Sequence, residues 1–223
     1  DVAEIFVDED RLGYEGATAV DEARRRGAVV TPVSGTVLDR LAYGDRAEGL
    51  VAIVRIPDLV LAGLGLPAEP LVVVLEGVEK PGNLGAVLRT ADAAGADAVI
   101  AADPRTDLFN PNAIRASLGT IFAVPMASGS SIDVHDYLAA RGIRLVVARV
   151  DADAPYTDVD LRGPVALILG SEADGLSAVW TGSFVVPVNL PMLGVADSLN
   201  VSITAAVLLY EARRQRGVTA AAG

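Results

Sequence analysis

The sequence predicts an α/β fold: a mostly parallel sheet with helices on both faces. Three observations predict it. From Leu71 onward, short β-branched runs alternate with segments of helical periodicity. The runs LVVVL (71–75) and PVALILG (164–170) are apolar throughout instead of alternating, as strands covered on both faces are. NLGAVLRTADAAG (83–95) carries apolar residues at helical spacing and stops at a glycine.

The elements follow in order. Residues 1–56 read as a small α/β unit, with a strand at EIFV, a helix over TAVDEARRRG ended by Gly27, a strand at AVVTPV, a short helix around VLDRLA and a strand at GLVAIVRI. Asp1 opens almost directly into the first strand, so residues ahead of it are expected. PDLVLAGLGLPAEP (57–70), with three prolines and several leucines, reads as a linker that packs against something. The second unit, 71–216, begins with LVVVLEG and the 83–95 helix. It continues with strand AVIAA (98–102), a helix over PNAIRASLG, strand IFAVPM, a helix over IDVHDYLAARG, strands IRLVVARV, PVALILG and SFVVPV, and a last helix from about Ser198 to Arg216. The tail 217–223, GVTAAAG, is expected to be disordered.

Composition narrows the function classes. A chain of 223 residues that is 52% hydrophobic can bury a sizeable core. It has no uninterrupted apolar run of about 18 residues, so no membrane span is expected. The absence of cysteine excludes disulfides and thiolate metal sites and makes a cytoplasmic setting the default. The lone His135 excludes a histidine-rich metal site; it reads as a solvated helix residue, and no metal is expected. A net charge of −11 argues against general attraction to phosphate. However, the 18 cations are Lys80 and seventeen arginines, the residue suited to bidentate phosphate contacts, so a local basic patch stays open.

Ligands of parallel sheets bind beyond the carboxyl ends of the strands, which singles out the loops 76–83, 103–112, 170–177 and 188–198. EGVEKPGNLGAVLRTA (76–91) has a strand-loop-helix setting, and Asp103 lies where a ribose-binding acid of a dinucleotide fold would sit. Its glycines, Gly77, Gly82 and Gly85, lack the G-x-G-x-x-G spacing. Asn83 reads as a helix N-cap and Arg89 as a solvated or ligand-facing residue of the second turn. In LILGSEADGLS (167–177), Gly170 allows a sharp turn or close approach, and Glu172 is either a site acid or a solvated turn residue. In ADSLNVS (196–202), Asp197 or Ser198 would cap the last helix. One cap leaves Asn200 and Ser202 unexplained, and a helix N-terminus also suits an anionic or polar ligand group.

Together, EKPGNLGAVLRTA (79–91), LILGSEADGLS (167–177) and VNLPMLGVADSLNVSITAA (188–206) resemble, in order and spacing, the three motifs of the SpoU/TrmH family of RNA 2′-O-ribose methyltransferases. FNPNAIRASLGTIFAVP (109–125) resembles the segment between the first two. The resemblance implies a deep trefoil knot in the C-terminal half, S-adenosyl-methionine as cofactor and a homodimer with shared active sites. It implies that residues 1–56 are an L30e-like RNA-binding domain. Carried over by position, it gives Asn83, Arg89, Glu172, Ser198 and Asn200 catalytic roles. Gly170, Leu190 and Leu199 become backbone contacts to the cofactor, with Ser171, Pro191, Met192 and Gly194 shaping its pocket. Many members carry Asp near the position of Lys80, which puts local contacts there in doubt. Arg24, Arg25, Arg26, Arg89 and Arg115 would form an RNA track, although RRRG also reads as a solvated helix end. The substrate implied is ribosomal RNA, with an antibiotic-resistance methyltransferase of the avilamycin or thiostrepton type suggested by the wording of VEKPGNLG and IRASLGTIF. The alternatives are a transfer RNA 2′-O-methyltransferase and a non-catalytic knotted RNA-binding protein.

Overall fold

The computed structural model describes residues 1–44, 49–171 and 174–217. The chain forms two compact units, Asp1–Pro57 and Asp58–Gly223. The first holds β1 (Val2–Val7), α1 (Tyr14–Arg25), β2 (Val29–Pro32), α2 (Gly35–Leu41) and β3 (Leu50–Val54). Its three-stranded sheet has the order β2-β1-β3, with β2 parallel and β3 antiparallel to the central strand. Ile5, Val7, Val20, Ala23 and Ala28 form its small core.

The second unit holds β4 (Leu71–Glu76), α3 (Pro81–Ala94), β5 (Ala98–Ala102), α4 (Pro111–Ser117), β6 (Met126–Gly129), α5 (Ser131–Ala139), β7 (Arg144–Ala148), β8 (Val165–Leu169), β9 (Val185–Val188) and α6 (Val201–Arg216). Its six strands run β6-β5-β4-β8-β7-β9, and every pairing is parallel. The period-2 alternation of strand side chains sorts the core into two layers. Leu71, Val73 and Leu75 face α3, α4 and α6, meeting Leu84, Leu88, Ala113, Leu208 and Ala212. Val72 and Val74 face the opposite layer with Val134 and Leu138 of α5 and Trp180. Each fully buried Leu or Val here stabilises the fold by about 1.5–3 kcal/mol relative to exposure. Leu61, Leu64 and Leu66, from the Pro-rich stretch, pack on this second layer.

Several element boundaries differ from expectation. α3 begins at Pro81, with Lys80 at the N-cap, so Asn83 is the third helical residue and not the cap. Proline at the first helical position pre-sets φ and needs no amide partner there, which moves the start forward. α6 begins at Val201, and its cap is Asn200, not Asp197 or Ser198. The strand expected over IFAVPM starts only at Met126; Thr120–Phe122 form a 3-10 turn after Leu118 and Gly119 take left-handed conformations. His135 is not fully solvated: its side chain is 23% exposed. Its ring stands edge-on to Trp180, and Nδ1 lies 3.0 Å from Asp136 Oδ1. Residues 218–223 of the tail lie outside the described residues.

The last turn of α6 is tied down by side chains. Arg213 donates to the carbonyls of Ala94 and Gly95, completing the C-terminus of α3. Arg216 donates to Leu161 O at 3.0 Å and Pro70 O at 3.3 Å, and Gln215 bridges Val159 O and Leu161 N. Close approach of α3 and α4 needs Gly85, where a Cβ would lie 2.5 Å from Ala113 O and 2.6 Å from Ala116 Cβ. Gly85→Ala should therefore destabilise the protein by about 1–3 kcal/mol. Gly82→Ala, whose Cβ meets nothing within 4 Å, should be neutral or stabilising by up to about 1 kcal/mol. Urea unfolding of the two variants checks this, and equal midpoints would refute the packing argument.

Candidate functional site

The carboxyl ends of β8, β7 and β9 lie side by side, and the loops that leave them enclose a cavity of about 510 Å³. Leu169, Gly170, Ser171, Asp174, Gly175 and Leu176 supply one wall, Leu190, Met192, Asp197, Ser198 and Leu199 another, and Ala148–Asp151 a third. Val201 and Thr204 close it from α6. A smaller cleft beside it is lined by Glu76, Glu79, Lys80 and Asn83, and shares Gly170, Ser171 and Val201 with the large one.

Gly170 is required by a turn that folds back on itself. A Cβ there would lie 2.3 Å from Gly175 C, while Ser171 and Gly175 exchange backbone hydrogen bonds of 3.2 and 3.1 Å. The Ser171 hydroxyl accepts from Asp174 N at 2.9 Å. Arg105 reaches across the loops, donating through Nη1 to Glu79 Oε1 at 2.7 Å and Asp174 Oδ2 at 2.6 Å. Those hydrogen bonds, Glu79's first, raise the guanidinium pKa. All three side chains are about half exposed, so solvent screens the tether and it sets direction more than it adds stability. On the third wall Arg149 grips Asp151 with bonds of 2.9 and 3.0 Å, which lowers the Asp151 pKa.

Asn200 joins two segments that the sequence separates by 117 residues. Its Oδ1 accepts from Ser202 N at 2.9 Å, capping α6, and from the Ser202 hydroxyl at 2.6 Å. With the oxygen committed to the helix, Nδ2 is turned outward and donates to Asn83 Oδ1 at 3.2 Å. The cap thus fixes the orientation of the Asn83 amide as well. Arg89 is exposed on α3, six residues beyond Asn83, or roughly 9 Å along the axis.

Of the residues singled out from sequence, Gly170, Ser171, Leu190, Met192, Ser198 and Leu199 line the large cavity, and Asn83 meets Asn200 at its edge. Pro191 and Gly194 belong to the same crossing but are not among the lining residues. Glu172 lies outside the described residues. Arg24 pairs with Asp21 at 2.8 Å, and Arg25 and Arg26 with Glu22 at 2.8 and 2.7 Å. Sequence reasoning missed Ala148–Asp151, although the rule that ligands sit at strand carboxyl ends applies to β7 as well. Among the described residues no cluster of three or more His, Asp or Glu is placed to hold a metal, and no helix is long and apolar enough to cross a membrane.

Residues 70–210 match the model of the SpoU rRNA methylase family. This chain belongs to that family. It is 37% identical to the 23S rRNA (guanosine-2′-O-)-methyltransferase RlmB of Bordetella pertussis over 96% of this chain and 90% of the relative. It is 35% identical to the 23S rRNA (uridine(2479)-2′-O)-methyltransferase of Streptomyces viridochromogenes, covering 79% of this chain and 64% of that one. Among solved structures, the AdoMet-bound rRNA methyltransferase from Sinorhizobium meliloti superposes with a TM-score of 0.86 at 29% identity, over 96% of this chain and 80% of that one. Within this SpoU chain, the two jobs of Asn200 are separable. Asn200→Ser keeps a capping oxygen but is too short to reach Asn83. It should leave stability within about 0.5 kcal/mol of wild type, while Asn200→Ala should cost about 1 kcal/mol. Equal losses in denaturant titrations would show that the Asn83 contact, not the cap, carries the stability.

Proposed function

We propose that this protein transfers a methyl group from S-adenosyl-methionine to a ribose 2′-hydroxyl of 23S ribosomal RNA. The observation that carries the reading is the Asn200–Asn83 bond at the edge of the cavity built by Gly170, Leu190 and Leu199. The relatives named above act, by their names, on 23S rRNA ribose 2′-oxygens. The cavity suits the cofactor: its volume lies within the roughly 300–1,000 Å³ of small-molecule clefts. Leu169, Leu176, Leu190, Met192 and Leu199 offer apolar walls for a base and a methionine chain, and Ser171 and Asp151 offer polar partners.

When bound, the cofactor supplies an electrophilic methyl on a sulfonium. The chain's own residues then have positioning and electrostatic work to do, because a hydroxyl oxygen gains negative character as it attacks. A guanidinium stays protonated in proteins, so Arg89 does not serve as the base. It holds the neighbouring phosphate and stabilises the developing alkoxide, while Asn83, Ser198 and Asn200 orient the hydroxyl, whose proton is released to solvent water as the oxygen–methyl bond forms and the sulfonium–methyl bond breaks.

The C-terminal half is proposed to be knotted. Asn189 threads against the β7–β8 connection, donating from N to Ala154 O at 2.9 Å and accepting from Tyr156 N at 2.9 Å, while Gln215 and Arg216 fasten α6 to Val159–Gly163 of the same connection. A homodimer is proposed from the exposed Leu193, Val195 and Leu199 and the Ile203 and Tyr210 face of α6, which water would otherwise cover. Residues 1–56 are proposed to be the RNA-binding unit. The ion pairs of Arg24, Arg25 and Arg26 are exposed and solvent-screened, so they can yield to phosphate. A role in antibiotic resistance follows if the methyl group lands in a drug-binding site of the ribosome.

Incubating the protein with radiolabelled S-adenosyl-methionine and deproteinised ribosomal RNA, then mapping 2′-O-methylation, should place label on one 23S nucleotide; no transfer to any ribosomal RNA would overturn the reading. Arg89→Lys should lower kcat on the order of 100-fold. If it kept most of its rate and lost only RNA affinity, the alkoxide role of Arg89 would be wrong.

A further inference from the structure

Behind the cavity wall lies a buried carboxylate that the transfer chemistry does not use. Glu76, the last residue of β4, is 7% exposed. Its Oε1 accepts from the hydroxyls of Ser131 and Ser177, both at 2.6 Å, and its Oε2 accepts from the backbone amide of Ser177 at 2.8 Å. A buried carboxylate is tolerated where hydrogen bonds satisfy it, and here three donors reach its two oxygens. A neutral amide in its place would turn an N–H against one of them.

The three donors come from two places with different neighbours. Ser131 opens α5, where its amide also donates to Asp103 Oδ2 at 3.0 Å. Ser177 directly follows Gly175 and Leu176, which line the large cavity. Two of the three bonds to Glu76 come from Ser177. The same wall is tethered at Asp174 by Arg105, but both partners of that contact are exposed to solvent, whereas the Ser177 contact ends on a carboxylate that is buried.

We propose that Glu76 is a positioning residue for the cofactor: through Ser177 it holds the Gly175–Leu176 wall at the spacing the cofactor requires. This rests on the reading of the cavity as the S-adenosyl-methionine site. Ser131 supplies a control inside the same network, because its bond to the carboxylate is as short as the Ser177 hydroxyl's yet leads away from the cavity.

Calorimetric titration with S-adenosyl-methionine, paired with RNA filter binding, tests this on the full chain. Glu76→Gln should weaken cofactor binding roughly ten-fold and Ser177→Ala roughly three-fold or more, with RNA affinity unchanged within about two-fold. Ser131→Ala should leave cofactor affinity within about two-fold of wild type. Equal losses for Ser131→Ala and Ser177→Ala, or unchanged cofactor affinity in Glu76→Gln and Ser177→Ala, would overturn the inference. If Glu76→Gln does not fold, the two serine variants decide alone. A wild-type protein that binds no cofactor would instead overturn the functional reading, and this inference with it.

Discussion

One side-chain amide governs how the site is put together. Asn200 accepts at Oδ1 from the Ser202 amide of α6 and donates from Nδ2 to Asn83 of α3, so the two helices that face the sheet from one side share a fixed point at their N-termini. The orientation runs in one direction: the helix cap demands the oxygen, which leaves the nitrogen for Asn83, which must then present its own oxygen. Arg89 stands on the same α3, so its position relative to Asn200 follows from a rigid helix and not from loop flexibility.

The rest of the site is a consequence of strand order. With β8, β7 and β9 adjacent, their loops open onto one edge and the cavity is their common interior, while the loop after the neighbouring β4 lines the smaller cleft beside it. Close backbone packing shapes the wall, and a side chain at Gly170 would collide with the backbone of Gly175 and Leu176. Buried anchoring and exposed tethering divide the work on that wall. Glu76 is satisfied by donors in a shielded setting, while Arg105 and Arg149 make solvent-exposed pairs that set side-chain direction more than they add stability.

Much of this was legible in the sequence, for identifiable reasons. The buried strands announced themselves as continuous apolar runs, and β4 is buried at all six positions. The polar cluster ADSLNVS could be recognised as too rich for one cap. Which member caps α6 was not legible, because Asp, Ser and Asn cap comparably well and the local pattern offers all three within four residues. Asn83 misled in the same manner: it is a good cap residue, but Pro81 had already started the helix. IFAVPM reads as a strand from its apolar run, and the left-handed Leu118 that precedes the 3-10 turn there has no sequence signature. Ala148–Asp151 went unread because their place in the cavity depends on β7 lying between β8 and β9, and lateral strand order is not written in local pattern. Glu76 hid in plain sight as the polar end of an apolar strand.

The central claim is that Asn83 and Asn200 act as one unit in the transfer step. A double-mutant cycle on single-turnover methyl transfer, with Asn83→Ala, Asn200→Ala and the double variant, measures it directly. The account predicts strong coupling, with the double variant only about two- to three-fold slower than the worse single variant. Losses that multiply, as for two independent sites, would contradict it.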